Sequence, residues 1–296
     1  MRLLNYRYQR TLARPAEVVG TGFLTGASVR LRFHPAPPCT GVVFVRSDLR
    51  PQVRIPARVD HVTGTERRTT LGHPPAQVAL VEHVLAALAG LRIDNCFVDL
   101  NAPEPPGLDG SARCFVKTLQ KAGCKLQAAR RPVYTVRSPI VVSHQSATLA
   151  IHPAGPSEEL KVSYILNYGR NSPIAPQIST QTVTPEEFAN DVASCRTFLL
   201  DSEAAELRRH GLGPRTTAAD LLVFGPRGPV DNTLRCGNEP ARHKVLDILG
   251  DLSLFGHDLR GHVVGYRSGH PLNIELVRSL TGRISQSPRA VREIAA

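Results

Sequence analysis

Apolar and polar positions alternate through the first third of the chain in the manner of paired strands. "SVRLRFHP" (28–35), "TGVVFVRSD" (40–48) and "QVRIPARV" (52–59) are separated by Gly, Pro and Asp, which predicts antiparallel strands joined by turns. The period then changes. "PAQVALVEHVLAALAG" is apolar in helical spacing and predicts a helix over 76–89, stopped by Gly90, with a strand following over Cys96–Leu100. A Pro-rich turn, "NAPEPPGLDG", leads to a second helix near Ser111–Ala122.

Around "KLQAARRPVYTV" (125–136) the composition turns polar and basic, and a domain boundary is placed near residue 129. Strands resume with "YTVRSPIVVSH", "ATLAIHPA" and "LKVSYILNY". A helix follows at "TPEEFANDV", where Thr184 and Glu187 have the spacing of a capping box. Then come "SCRTFLL", a helix at "SEAAELRRHG", a short strand at "DLLVFG", a helix at "ARHKVLDILGD", a strand near "GHVVGYRSG" and a closing helix from Pro271. Both halves run strands, helix, strand, helix, and both carry H-x6-G inside an apolar helix, at His83–Gly90 and His243–Gly250. The repetition predicts an α+β protein of two similar domains, 1–129 and 130–285, with a patternless tail at 286–296.

Length and composition agree: 296 residues, 42% hydrophobic, suffice for two cores. No apolar run approaches the ~20 residues that cross a bilayer. The opening "MRLLNYRYQRTLARPAE" lacks the apolar stretch and cleavage site of a signal peptide, so a cytoplasmic location is expected. Six scattered cysteines without a CxxC pair read as reduced structural thiols. The net charge of +11 favours anionic partners: phosphorylated small molecules, nucleic acid or an anionic membrane surface. Nucleic acid is disfavoured, because aromatics are only 5% and there is no Trp to build a stacking platform.

His243, Asp247 and Asp251 fall on one helical stripe, which suits either a metal site or a solvated face. That segment alone does not choose between them. The helix around His83 has almost no polar face, so Glu82 and His83 belong to a buried element, as a structural pair or as part of a site. Zinc catalysis needs three protein ligands and one open position, and two histidines with a carboxylate form a recurrent set. His243 and Asp247 can bind from one helix. HExxH is absent, so the third ligand must come from elsewhere; His83 can complete the set, with Glu82 beside it as general base. His270, in the Gly-flanked turn "GYRSGHPLN", can act as general acid or as a cation beside an oxyanion, with Asp251 orienting it. Thr197 offers a hydroxyl to the same oxygen.

Together "QRTL", "GTGFLTG", "VEHVLAALAG", "IDN", "APEPPGLDGSA", "RTF", "HKVLDILGD" and "SGHPLN", in that order, resemble the UDP-3-O-acyl-N-acetylglucosamine deacetylase family, the zinc amidases that commit lipid A synthesis. The resemblance implies that His83, His243 and Asp247 bind Zn2+ and that Glu82 is the general base. It makes His270 the cationic acid group with Asp251 beside it, has Thr197 polarise the amide carbonyl, and uses Lys244 and Phe198 to hold substrate. It also implies a β-α-α-β sandwich in which the helix layers of the two domains face each other, with inserts that build an acyl passage. The expected partner is a UDP-linked acylated glucosamine, with transient contact to a membrane surface, no nucleic acid, and a monomeric chain. Two departures stand out: Leu24, where the family commonly carries histidine, and the insert "GLGPRTTAADLLVF" (211–224). They leave the ligand set untouched and bear on acyl length and sugar-nucleotide fit, so a related amidase with another acyl chain or sugar is the alternative reading. A basic nucleic-acid-binding module is the remote one.

Overall fold

The computed structural model describes residues 1–156 and 158–285; the tail read at 286–296 lies outside the described residues. Two five-stranded sheets of identical strand order account for the repetition in the sequence. The first runs Ala16–Thr21, Ser28–Pro35, Cys96–Leu100, Val42–Arg46, Val53–Pro56; the second runs Ile140–His144, Ala147–His152, Gly261–Tyr266, Leu160–Leu166, Gln177–Thr182. In each, the central strand is the last in chain order. It lies parallel to the third and antiparallel to the second.

Six α-helices complete the described chain: α1 (Glu82–Gly90), α2 (Arg113–Ala122), α3 (Pro185–Glu187), α4 (Asp201–Arg209), α5 (Glu239–Leu252) and α6 (His270–Ser285). α1 and α5 occupy the same place in the two halves, between the fourth strand and the central one, each preceded by a small three-stranded insert. They pack against each other in the middle of the molecule, while α2 lies on the first sheet and α5 and α6 on the second. The result is the expected β-α-α-β sandwich of two α+β units.

The glycines of the two H-x6-G segments mark close approaches. A Cβ on Gly250 would lie 2.2 Å from the carbonyl oxygen of Glu82, so α1 and α5 touch only because that side chain is missing. A Cβ on Gly90 would lie 2.1 Å from the Phe188 ring. Gly90 is therefore the last residue of α1 rather than its stop; the turn is made by Arg92, in the left-handed region at φ 56°.

Some sequence expectations change. The helix expected over 76–89 begins at Glu82, because Ala76–Val78 pairs instead with Thr70–His73, and Leu80 at φ 56° breaks the run. A short apolar stretch such as "VALV" fits either state by periodicity alone. Residue 129 sits inside a strand, Cys124–Thr135, which pairs antiparallel with Arg2–Leu12 and parallel with Asp258–Leu259. This third sheet ties the halves together; its exposed face explains the polar composition there. Thr184 Oγ1 does accept from the Glu187 amide, at 3.1 Å, but the helix widens at once into a π-helical turn over Phe188–Val192. The closing helix starts at His270, one residue early.

Candidate active site

The site lies where α1 and α5 meet beneath the two inserts, in a cavity of about 630 Å3. α1 brings Glu82 and His83 in its first turn, and α5 brings His243, Lys244 and Asp247. The ligating atoms of His83, His243 and Asp247 fall within 4.8 Å of one another. His243 Nε2 is 3.3 Å and His83 Nε2 3.9 Å from Asp247 Oδ1, and the two imidazoles meet edge to face with centroids 5.1 Å apart. His243 Nδ1 donates to the Cys195 carbonyl at 3.1 Å, which sets the tautomer and leaves Nε2 as a free donor atom. Two imidazoles and a carboxylate converging from two helices fit a divalent transition metal.

Burial and charge keep these groups in ligand form. Burial and the neighbouring His243 hold His83 down to about 3. Burial likewise lowers His243, against the pull of Asp247. For Asp247, burial favours the neutral acid, but His243, Lys244 and His270 outweigh it and hold the carboxyl well below the usual range. Lys244 Nζ donates to Asp247 Oδ2 at 2.7 Å, occupying one carboxylate oxygen and leaving Oδ1 turned to the histidines.

A second set surrounds the first. Glu82 Oε2 accepts from the Thr69 amide at 3.1 Å, and its other oxygen has no hydrogen-bond partner among the described residues. Burial pushes the Glu82 carboxyl up to about 7. His270 Nδ1 faces Asp251 Oδ2 at 2.8 Å. Burial alone would lower His270, but the charge and hydrogen bond of Asp251 carry it up to about 9. Asp251 is fully buried and also accepts from Thr69 Oγ1 at 2.6 Å and Asn273 Nδ2 at 2.8 Å. The cleft thus holds a carboxyl raised by burial on one side and an imidazole raised by its carboxylate partner on the other.

All nine candidates read from the sequence come to this region. Thr197 and Phe198 line the cavity; the Phe198 ring lies edge-on to His243 with centroids 6.1 Å apart. Leu24 and much of the 211–224 insert line the cavity as well. The shape of the loop carrying Leu24 is set from beneath by buried Glu104, which accepts from the amides of Leu24 and Thr25, so residue 24 alters what the loop presents and not its course. Sequence reading missed Thr69, Asn273, Glu104 and the Arg196–Glu239 pair. In that pair Arg196 Nε donates to Glu239 Oε1 at 2.8 Å, pinning the start of α5 to the segment before Thr197. Glu104, Arg196 and Asn273 lie within the segments that carry the family resemblance, and Asn273 is also one turn along α6 from His270; Thr69 and Glu239 lie outside those segments.

Two facing α+β halves, with a His-His-Asp group that could hold a metal and buried titratable side chains in the cleft between them, have the form of a metalloenzyme. Comparison with known proteins narrows it. Residues 9–282 match the family model described as UDP-3-O-acyl N-acetylglycosamine deacetylase, and the chain belongs to that family. It is 38% identical over 279 residues to a UDP-3-O-acyl-N-acetylglucosamine deacetylase of Geobacter sp. (strain M21), covering 93% of this chain and 90% of that protein. Proteins of the same name from Chlamydia caviae and Myxococcus xanthus are 39% and 36% identical over 275 and 273 residues, covering 93% and 92% of this chain and 97% and 86% of theirs.

Proposed function

We propose that the chain is a zinc-dependent deacetylase that hydrolyses the N-acetyl amide of a UDP-linked, 3-O-acylated N-acetylglucosamine, releasing acetate at an early committed step of lipid A synthesis. The observation that carries this reading is the juxtaposition in one cavity of the His83, His243, Asp247 donor set with Glu82 and the Asp251-bound His270. The names of the relatives support the substrate; the donor chemistry supports zinc. Zinc held by the three donors would polarise a water molecule and the amide carbonyl.

This chain's own residues do the rest. Glu82, with one oxygen tethered to Thr69 and the other free, takes the proton of the attacking water. The water oxygen bonds to the acetyl carbon, and negative charge develops on the carbonyl oxygen. The Thr197 hydroxyl and the His270 imidazolium, both from the cavity lining, stabilise it. As the C–N bond breaks, His270 gives its proton to the departing sugar amine; acetate leaves with the water oxygen. Asp251, Thr69 and Asn273 hold His270 protonated and aimed. Lys244 fixes Asp247, and Phe198 walls the substrate side of His243.

The apolar lining from Leu24, Leu207, Leu212 and Val223 suits the 3-O-acyl chain. Because Leu24 and the 211–224 insert form that lining, a different acyl length or sugar is the second reading. Turnover compared across acyl lengths decides between them. The charge of +11 supports binding of the diphosphate and transient contact with an anionic membrane surface. Among the described residues no helix is long and apolar enough to cross a membrane. A monomer in the cytoplasm is proposed with this activity, its mass checked by sedimentation.

The test is acetate release by purified protein carrying one zinc. His83→Ala and Asp247→Ala should lose both metal and activity, whereas Glu82→Gln should keep the metal and lose on the order of 10²–10⁴-fold in kcat. Full activity after exhaustive chelation refutes the proposal.

A further inference from the structure

A second cavity, of about 420 Å3, opens at the C-terminal ends of α1 and α5, where both five-stranded units meet the third sheet. Its walls carry six arginines against two aspartates. The aspartates are already taken: Arg7 and Arg131 both pair with Asp94 and Asp258, at 2.5–3.2 Å. Arg58 leans on Asp60 outside the cavity at 3.4 Å, and Arg130 lies over the Tyr8 ring at 5.8 Å. Arg92 and Arg260 remain. Neither guanidinium makes an ion pair or a side-chain hydrogen bond among the described residues, though both are half-buried in the cavity wall. Burial and the nearby charge of Arg260 push the Arg92 guanidinium below its ordinary value, outweighing the pull of the Asp258 carboxylate.

The backbone at Arg92 is an independent observation. The residue closes α1 in the left-handed conformation, at φ 56°, with its amide bonded to the Ala89 carbonyl at 3.0 Å and the Ile93 amide to the Leu88 carbonyl at 2.9 Å. Glycine is the residue that adopts this conformation without strain. An arginine there is unfavourable for the fold, and burying its charge beside Arg260 is unfavourable again. A bound anion would offset the second of these.

We propose that this cavity is a second ligand site, distinct from the catalytic cleft, which takes a phosphate-bearing small molecule with its phosphate between Arg92 and Arg260. Guanidinium forks match phosphate oxygens two at a time, and a cavity of this size has room for a phosphate with a small organic body. The site sits on the same two helices as the catalytic donors, at their other ends, so its occupancy is placed to affect how the two halves are held.

The experiment is calorimetric titration of the zinc-loaded protein with inorganic phosphate and with glycerol 3-phosphate. It is repeated on Arg92→Gly, Arg260→Ala and, as the catalytic-cleft control, Lys244→Ala. One site per chain is expected in the parent and in Lys244→Ala, with Arg92→Gly and Arg260→Ala each weakening binding about ten-fold or more. Tighter binding of the ester identifies a phosphate ester as ligand; equal binding identifies free phosphate. Arg92→Gly also separates ligand binding from scaffolding: its thermal midpoint should equal or exceed that of the parent, and its deacetylation should be unchanged. Binding lost only in Lys244→Ala, binding unaffected by both arginine substitutions, or no binding of either probe overturns the proposal, as does destabilisation by Arg92→Gly.

Discussion

Gly250→Ala tests whether the contact between α1 and α5 sets the metal geometry. The added Cβ would lie 2.2 Å from Glu82 O, about 1.2 Å short of the 3.4 Å at which ordinary contact begins. The obstacle is backbone in the first turn of α1, which no side-chain rotation can relieve. The helices must separate by about an ångström, at the residue next to His83. Overpacking of this kind costs ~1–3 kcal/mol. Replacing a helical glycine with alanine returns ~1 kcal/mol, so the net loss of stability is modest, about 0–2 kcal/mol. The proposed metal site should suffer more, because His83 rides on α1 while His243 and Asp247 ride on α5, and metal–ligand distances tolerate only about ±0.2 Å. Zinc affinity should fall about 10–100-fold. The measurement is zinc competition against a chelating dye, run beside urea unfolding of the metal-free protein. Gly90→Ala is the control: its Cβ meets the Phe188 ring, so it should lower stability while leaving zinc affinity nearly unchanged. If Gly250→Ala binds zinc as the parent does, the interhelical contact does not position the donors.

Further predictions follow from the groups around the site. Thr69→Val removes a hydroxyl donor from fully buried Asp251 and should cost about 1–3 kcal/mol in denaturant unfolding; Thr69→Ser should restore most of it. Arg196→Met leaves Glu239 buried without its cation and should cost about 3–5 kcal/mol, seen as a lowered urea midpoint with unchanged m. For Asp258, burial raises the carboxyl, but the hydrogen bond and charge of Arg7 and Arg131 outweigh it and place the folded value below the ordinary one. A folded value depressed in this way contributes stability above the unfolded value and loses it as pH falls through the folded one. Unfolding free energy measured from about pH 6 down to about pH 3 should therefore fall more steeply in the parent than in Asp258→Asn. Equal slopes would show that the pairing contributes nothing.

Much of the site was legible because its residues sit on two helices whose apolar pattern is strong, and because His83 and His243 recur with the same spacing to a glycine. The strand order explains why the recurrence matters. α1 and α5 are equivalent elements of two repeated units, so packing one unit against the other brings equivalent positions together, and the two imidazoles end 5.1 Å apart. The polar side chains have nonetheless diverged: α1 supplies Glu82 beside its histidine, while α5 supplies Lys244 and Asp247. What was not legible depends on partners distant in sequence. Thr69 acts through Asp251, 182 positions away, and the Cys195 carbonyl that orients His243 belongs to backbone, which carries no sequence signature. The strands Arg2–Leu12 and Cys124–Thr135 escaped for the same reason. Their alternation is blurred by long polar side chains, and only their mutual pairing makes them strands. That pairing has a functional consequence, since the sheet it builds also takes in Asp258–Leu259, just beyond α5. The Arg7 and Arg131 clamps on Asp94 and Asp258 thereby join the segment after α1 to the segment after α5. α1 and α5 are thus held to each other by the close contact at Gly250 and, beyond their C-terminal ends, by charge, which makes the relative placement of His83 and Asp247 a property of both repeats together.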